Sequence, residues 1–274
     1  MILRNFYYLC TMKIIEFISR PDCDAYMLDN ESVIKAILPE LYALKRAPGE
    51  GGGHKDNYSH TAGVLGNVIK TETDGANIPM RLIAILHDIG KATTKKFIDG
   101  KFTFHGHEEM SGKLTTAIFK RDNCGLTPDQ QKMVITIIRL HGRPKAITEE
   151  GVTDSAIRRM MVDAGEYFYD LIQFCKCDAT TKYEDRRRKY AREMDELLAR
   201  AAKIHEEDEA AKWRPPFTGK DIMDILGIAS STRKSKGGGQ KVGEIKDKII
   251  AMIKSGELPE EREACLAYIR SLKQ

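Results

Sequence analysis

The sequence lacks a long hydrophobic segment, and its cysteines lack the spacings of a zinc ribbon or a disulfide framework. No stretch of the 274 residues approaches the roughly 18 uncharged apolar residues that a membrane-spanning helix requires. None of the six cysteines forms a Cys-x-x-Cys pair, which indicates a reducing, cytoplasmic setting. Residues 1–19 are apolar but interrupted by charges, without a small-residue cleavage site, so we do not interpret them as a signal peptide.

Neither sign of charge dominates the chain. The 44 lysines and arginines against 40 aspartates and glutamates leave a net charge of +4, which permits a phosphate-bearing ligand without requiring one. Apolar residues make up 42% of the sequence, enough for a core of ordinary size. The length suits one large domain, or one domain with a small appendage.

Helical patterns occupy most of the sequence. Thr127 and Pro128 are typical of a helix N-cap and first position, and Gly142 predicts that this helix ends near His141. Residues 183–211 place their apolar side chains in a single stripe, which predicts one long helix. We therefore predict an all-α helical bundle.

One strand pattern interrupts the helices. Residues 96–104 alternate around Asp99-Gly100, and an Asp-Gly pair between alternating residues is the strongest short-range hairpin signal. We predict one small β-hairpin, too small to change the fold class.

Composition divides the chain into three parts. Glycine-rich stretches at 49–53 and 230–239 predict loops, and Arg-Pro-Pro at 214–216 predicts a boundary. The predicted parts are an N-terminal extension, a main domain and a small helical tail, at residues 1–31, 32–213 and 214–274.

The sharpest local motif is Leu-His-Asp-Ile-Gly-Lys at residues 86–91. An apolar run, 82–86, ends in an adjacent imidazole and carboxylate, and Gly90 is expected to let the chain turn. Burial of His87 beside Asp88 costs free energy unless a partner offsets it. Imidazole with carboxylate suits Mn, Fe, Co, Ni or Zn, whereas the alternative is a hydrogen-bonded buried pair without metal.

Two further residues complete a candidate metal site. His60 begins an amphipathic helix, and Asp178 ends a hydrophobic one. Helices packed in a bundle can direct such ends to one point, so His60 and Asp178 are predicted to join His87 and Asp88. A capping role is the alternative for His60 and for Asp178.

The order His, His-Asp, Asp resembles the HD superfamily of metal-dependent phosphohydrolases. Further stretches resemble the C-terminal half of the HD-containing bacterial tRNA nucleotidyltransferases (CCA-adding enzymes), and the resemblance covers roughly residues 32–260. These stretches are residues 37–41, 54–61, 87–91, 104–108, 140–144 and 215–216. The resemblance implies an HD-type bundle holding divalent metal, Mg included, as one ion or two.

The resemblance to the CCA-adding enzymes does not extend to their polymerase domain. That domain precedes the HD part and carries a glycine-rich turn with an Asp-x-Asp pair. Only some thirty residues precede the match here, and Asp22-Cys23-Asp24 has no glycine-rich partner. We therefore do not expect polymerase activity from this sequence.

Residues beyond the four ligands also have candidate roles. The resemblance implies that His107 and His141 bind a second ion, the alternative being that they line the pocket, and His105 competes with His107 for that role. Lys91 and Arg143 would hold a phosphate, although Lys91 could instead offset a helix dipole and Arg143 could be a surface residue. Asp88 would also orient the attacking water or act as its base.

The predicted function is a metal-dependent phosphohydrolase, either phosphodiesterase or phosphatase, acting on nucleotides or on RNA ends such as 2′,3′-cyclic phosphates. One alternative is an RNA-binding module, with tRNA as its partner, related to tRNA nucleotidyltransferases but without polymerase activity. Another is a hydrolase of a signalling nucleotide. Four basic residues could follow an RNA backbone or be part of a solvated loop: Arg233, Lys234, Lys236 and Lys241.

Overall fold

The computed structural model describes residues 12–47, 56–149, 153–228 and 237–273, which form helices and one two-stranded sheet. The predicted all-α fold with one hairpin is confirmed. The chain divides into two compact units, Met1–His205 and Glu206–Gln274. Our predicted boundary lay at residue 214, eight residues beyond the start of the second unit. No helix within the described ranges is long and apolar enough to cross a membrane.

The elements of the first unit run from the N-terminal segment into the long charged helix, whose residues from 206 onward belong to the second unit. Two 3-10 turns, Ala43–Arg46 and Gly165–Tyr167, extend the helices beside them. The helices and strands are α1 (Ile14–Ile18), α2 (Cys23–Asp29), α3 (Glu31–Ile37), α4 (Pro39–Tyr42), α5 (Asn57–Thr71), α6 (Ile78–Leu86), α7 (Lys91–Thr94), β1 (Lys96–Ile98), β2 (Lys101–Thr103), α8 (His107–Arg121), α9 (Pro128–Leu140), α10 (Arg143–Glu149), α11 (Asp154–Ala164), α12 (Phe168–Asp178) and α13 (Glu184–Lys212).

Side-chain caps start several of these helices, and one of them is the cap predicted at Thr127. The hydroxyl of Thr127 accepts a hydrogen bond from the backbone N–H of Gln130, and the side-chain oxygen of Gln130 accepts one from the backbone N–H of Thr127, which satisfies two backbone groups at the start of α9. Thr153 caps α11 by accepting from the backbone N–H of Ala156. Helix α9 ends at Leu140, directly before His141, as predicted.

The N-terminal segment belongs to the core of the first unit. Its helices α1 and α2 bury five side chains against the other helices: Ile14, Phe17, Ile18, Cys23 and Met27. The buried Arg81 of α6 fixes this segment, because its guanidinium donates to the carbonyls of Ile18 and Arg20 while pairing with Glu72. The core therefore continues across our predicted boundary at residue 31.

The hairpin joins α7 to α8 and is largely exposed. Phe97 lies opposite Phe102 in the antiparallel register. Asp99 and Gly100 have φ angles of 49° and 76°, as the two central residues of a type I′ turn require. The turn predicted from Asp-Gly is thus formed.

The second unit has its own small core. The C-terminal end of α13 is followed by α14 (Gly219–Leu226), α15 (Gly237–Lys254) and α16 (Arg262–Ser271). The buried residues of this core are Phe217, Ile222, Val242, Ile249, Cys265, Leu266 and Ile269. The prediction of a glycine-rich loop to residue 239 is wrong at its end, since 237–239 begin α15. The glycine-rich stretch at 49–53 lies outside the described residues.

Candidate metal centre

The candidate centre is built around the end of α6. Residues 82–86 of this helix are fully buried, and the next two side chains, His87 and Asp88, are 0% and 1% exposed. The apolar face of α6 thus carries an imidazole and a carboxylate into the interior, as the motif predicted. Two such groups side by side in the interior require compensating partners.

Gly90 has a different role from the one expected. Its φ of −63° is ordinary right-handed helical geometry, so the chain does not need glycine in order to turn here. A Cβ at this position would instead lie 2.3 Å from the carbonyl oxygen of His107 and 2.8 Å from the backbone nitrogen of Ser111. Glycine therefore allows α8 to approach the segment that carries Asp88.

The four predicted ligands converge from three helices. His60 Nε2 lies 3.0 Å from Asp178 Oδ1 and 3.8 Å from Asp88 Oδ2. His87 Nε2 lies 3.3 Å from Asp88 Oδ2 and 3.4 Å from Asp178 Oδ1. The ligand atoms of His60, His87 and Asp178 lie within 4.8 Å of one another, as a shared ion requires.

The second oxygen of Asp88 faces two further histidines. Asp88 Oδ1 lies 3.2 Å from His107 Nε2 and 3.7 Å from His141 Nε2. His87, Asp88 and His141 form a second group with ligand atoms within 4.8 Å of one another. His87 is shared between the two groups, and Asp88 bridges them with its two oxygens.

Backbone carbonyls orient three of the four histidines. The Nδ1 atoms of His87, His107 and His141 lie 2.9, 3.0 and 2.7 Å from the carbonyl oxygens three residues earlier in the chain. A carbonyl oxygen can only accept, so each Nδ1 carries the hydrogen and each Nε2 is directed at the cluster. His60 Nδ1 lies 2.7 Å from the hydroxyl of Thr180. This arrangement is typical of histidines that bind metal through Nε2.

The buried atoms at the centre fit a divalent cation. Among the described residues, His87 Nε2, Asp88 Oδ1 and Asp178 Oδ1 are buried without a hydrogen-bond partner. Buried polar atoms without partners are rare in folded proteins and call for an explanation. Imidazole nitrogen and carboxylate oxygen together are a donor set that Mn, Fe, Co, Ni and Zn accept.

The pKa values indicate that this pocket favours positive charge. Burial by itself lowers the pKa of His87, but the carboxylates of Asp88 and Asp178 outweigh it and raise that pKa to about 10. Burial raises the pKa of both carboxyls, yet the charge of His87, joined at Asp88 by Lys91, holds them well below the usual range. Two ionised carboxylates buried together are stable only beside a cation.

The two residues predicted to bind phosphate, Lys91 and Arg143, lie in different surroundings. Lys91 is 7% exposed, and its Nζ lies 2.9 Å from Asp88 Oδ2, inside the cluster. Arg143 is half-buried and pairs with Asp163, and none of its described contacts reaches Asp88. Lys91 therefore lies beside Asp88 in the cluster, whereas Arg143 pairs with a residue outside it.

The remaining predicted residues are placed as follows. His105 is exposed, so it is His107 that faces Asp88. Lys241 is exposed on α15. Three of the basic residues proposed for nucleic-acid binding lie outside the described residues, namely Arg233, Lys234 and Lys236.

Sequence reasoning missed two residues that shape the centre. Phe174 places its ring 5.4 Å from that of His87 and 6.4 Å from that of His141. Thr180 orients His60 from a segment 120 residues further along the chain. Their sequence positions could have indicated that they lie near the site, because Phe174 is four residues before Asp178 and Thr180 is two residues after it.

A family model described as HD domain matches residues 58–204, more than half of the chain. The A-adding tRNA nucleotidyltransferase of Deinococcus radiodurans is 25% identical over 253 residues, which cover 89% of this chain and 54% of that protein.

Two other relatives show the same partial coverage. The CC-adding tRNA nucleotidyltransferase of Thermus thermophilus is 24% identical, over 89% of this chain and 52% of its own length. The multifunctional CCA protein of Cupriavidus metallidurans is 29% identical, over 78% of this chain and 45% of its own length. The chain thus spans about half the length of these relatives.

Proposed function

The chain belongs to the HD domain family, and on that premise we propose that it is a metal-dependent phosphohydrolase acting on nucleotides or RNA ends. The observation that carries the proposal is the convergence of buried, unpartnered ligand atoms from His87, Asp88 and Asp178. His60, His107 and His141 complete the proposed ligand set.

The proposed chemistry divides between the metal and the protein. A divalent ion held by these residues would supply an activated water and polarise a phosphoryl oxygen. Lys91, adjacent to Asp88, would bind a non-bridging phosphate oxygen and offset the charge that develops on it. Asp88 would orient the attacking water, and Arg143 would contribute only if it exchanged Asp163 for phosphate.

The names of the relatives support the proposed substrate class. Their names describe enzymes that act on tRNA, which favours RNA ends, including 2′,3′-cyclic phosphates, over unrelated phosphate esters. The product would be a phosphomonoester or free phosphate.

The test is metal content together with turnover. We expect the purified chain to contain a divalent metal and to hydrolyse bis(p-nitrophenyl) phosphate and 2′,3′-cyclic AMP when Mn, Ni, Co or Mg is supplied. Asp88→Ala should abolish both metal binding and hydrolysis. Asp247→Ala, which removes an exposed carboxylate of α15, is the matched control. A wild-type chain without metal and without turnover in all four ions would refute the proposal.

A second candidate is an RNA-binding module. The 89% coverage in two tRNA nucleotidyltransferases includes sequence beyond residue 204, where the HD match ends. Under this proposal the second unit, with Lys241 and the basic residues at 233–236, would contact an RNA backbone. Binding of tRNA that weakens steeply with salt, without turnover, would support it. Hydrolysis lost in Asp88→Ala would favour the first candidate instead.

A further inference from the structure

The hairpin that joins α7 to α8 exposes an aromatic pair. Phe97 and Phe102 are 66% and 42% exposed, and their ring centroids lie 5.0 Å apart. They are direct cross-strand partners, so both rings lie on the same face of the ribbon. Large apolar side chains clustered on a surface usually mark an interaction site.

One lysine lies against this aromatic pair, and two others lie on the opposite face of the hairpin. Lys95 Nζ lies 5.4 Å from the ring centroid of Phe102 and also donates to the carbonyl of the exposed Arg46. Lys96 and Lys101 are exposed and are strand neighbours of the two phenylalanines, so they project from the other face. From residue 91 to residue 104 the chain has four lysines and a single acidic residue, Asp99. The charge of the hairpin therefore suits a polyanion.

The base of the hairpin reaches the candidate metal centre. Phe104, which follows β2, accepts a hydrogen bond from His107 Nδ1 through its carbonyl. Its ring centroid lies 5.7 Å from Lys91 Nζ, which itself lies 2.9 Å from Asp88 Oδ2. A chain molecule bound along the hairpin would thus have one end near Lys91.

We infer that this hairpin binds a single strand of RNA, with bases stacked on Phe97 and Phe102 and a phosphate near Lys95. Exposed aromatic rings beside a lysine are the combination that binds unpaired nucleotides, since stacking needs free base faces and the backbone needs cations. A duplex hides its base faces and would not use the two rings.

This inference extends the proposed function, because it assigns an RNA strand rather than a free nucleotide to the same site. The catalytic part of the statement rests on the proposed phosphohydrolase activity. The binding part does not, and binding can be measured separately from hydrolysis.

The test is fluorescence anisotropy with a labelled oligoadenylate of ~10 nucleotides, a length within the range of single-strand sites. We expect the full chain to bind it, and Phe97→Ala/Phe102→Ala to weaken binding by about tenfold or more at every salt concentration. Phe97→Tyr/Phe102→Tyr keeps both rings and should retain the affinity. Loss of affinity in the alanine variant but not in the tyrosine variant separates stacking from misfolding.

Lys95 is tested through salt dependence. Lys95→Gln should lower the magnitude of the slope of log K against log salt by about 0.7, the contribution of one phosphate contact on a single strand. Its controls are Lys101→Gln, on the other face of the hairpin, and Lys70→Gln, at an exposed lysine outside it, and Val162→Ala/Tyr169→Ala is the control for the exposed apolar residues. All three controls should match the wild type in affinity and in salt dependence.

Several results would overturn the inference. The wild type failing to bind the oligonucleotide would do so, as would equal affinities for Phe97→Ala/Phe102→Ala and its control. Loss of self-association in the alanine variant, with RNA affinity unchanged, would identify the pair as a protein interface instead.

Hydrolysis of bis(p-nitrophenyl) phosphate, a substrate too small to span the hairpin, is measured in every variant. Absence of hydrolysis with hairpin-dependent RNA binding would reject the proposed function and keep the inference. If hydrolysis is intact and the hairpin variants bind RNA like the wild type, the proposed function stands and the inference is rejected.

Discussion

The backbone N–H of Gly90 donates a hydrogen bond of 2.9 Å to the hydroxyl of Ser111. This contact joins the segment carrying Asp88 to helix α8, although a complete hairpin separates them in sequence. Because His107 is the first residue of α8, the same contact helps to hold His107 beside Asp88. The close packing of the Asp88 segment against helix α8 therefore helps to form the candidate metal centre.

Gly90→Ala should therefore disturb both stability and metal binding. The added Cβ would meet the carbonyl of His107 at 2.3 Å and the backbone of Ser111 at 2.8 Å, and overpacking of this kind costs about 1–3 kcal/mol. Urea unfolding and metal titration would measure the two effects. Gly243→Ala is the control, because that helical glycine of α15 has nothing within 4 Å of its Cβ position. Equal stabilities of the two variants would contradict this account of Gly90.

His107 and His105 provide a matched pair for testing the ligand set. His107 Nε2 lies 3.2 Å from Asp88 Oδ1, whereas His105 is exposed. We expect His107→Ala to weaken binding of Mn or Co by at least the ~10-fold that loss of an outer-shell partner costs. His105→Ala should bind metal like the wild type, as measured by competition titration. Equal metal affinities of the two variants would show that His107 lines the pocket and does not bind the ion.

Arg81 should be important for stability rather than for activity. Its side chain and that of Glu72 are 4% and 8% exposed, and the guanidinium also binds two carbonyls of the N-terminal segment. Arg81→Met leaves a buried carboxylate without its partner, which typically costs about 3–5 kcal/mol. Arg200→Met breaks an exposed pair with Asp154 and should cost less than about 1 kcal/mol. Urea unfolding of the full chain measures the free energy of unfolding of both variants. Similar losses of stability would show that burial does not determine the cost of breaking an ion pair.

The second unit should lose stability on acidification. Hydrogen bonds from Thr218 and then Arg262 lower the pKa of Asp221 to about 2. A carboxyl whose pKa is lower in the folded state than its usual value of about 3.9 stabilises the fold above that value. This contribution is lost as the pH falls from about 4 towards 2.

The single tryptophan makes this loss measurable. Trp213 lies in the second unit, where its indole donates to Glu260. We expect its urea transition to shift less with acid in Asp221→Asn than in the wild type. Asp247→Asn, at an exposed aspartate of α15, should behave like the wild type. Identical acid shifts in all three proteins would show that Asp221 does not make this contribution.

Local features of this protein were readable in the sequence. The cap of α9 at Thr127 and the turn at Asp99-Gly100 depend on groups only a few residues apart, so the pattern of residue types is sufficient to predict them. The pairing of His87 with Asp88 after an apolar run likewise marked a buried polar site.

The sequence by itself thus determined the helical class, the hairpin and the residue types offered to a metal, because periodicity and near neighbours set them. Only the tertiary structure decided that His107 rather than His105 faces Asp88, that Gly90 serves close packing, and that Arg143 pairs with Asp163. It also showed that α1 and α2 belong to the main core. These outcomes depend on how helices far apart in the chain pack together, and no local pattern encodes which of two nearby side chains such packing buries.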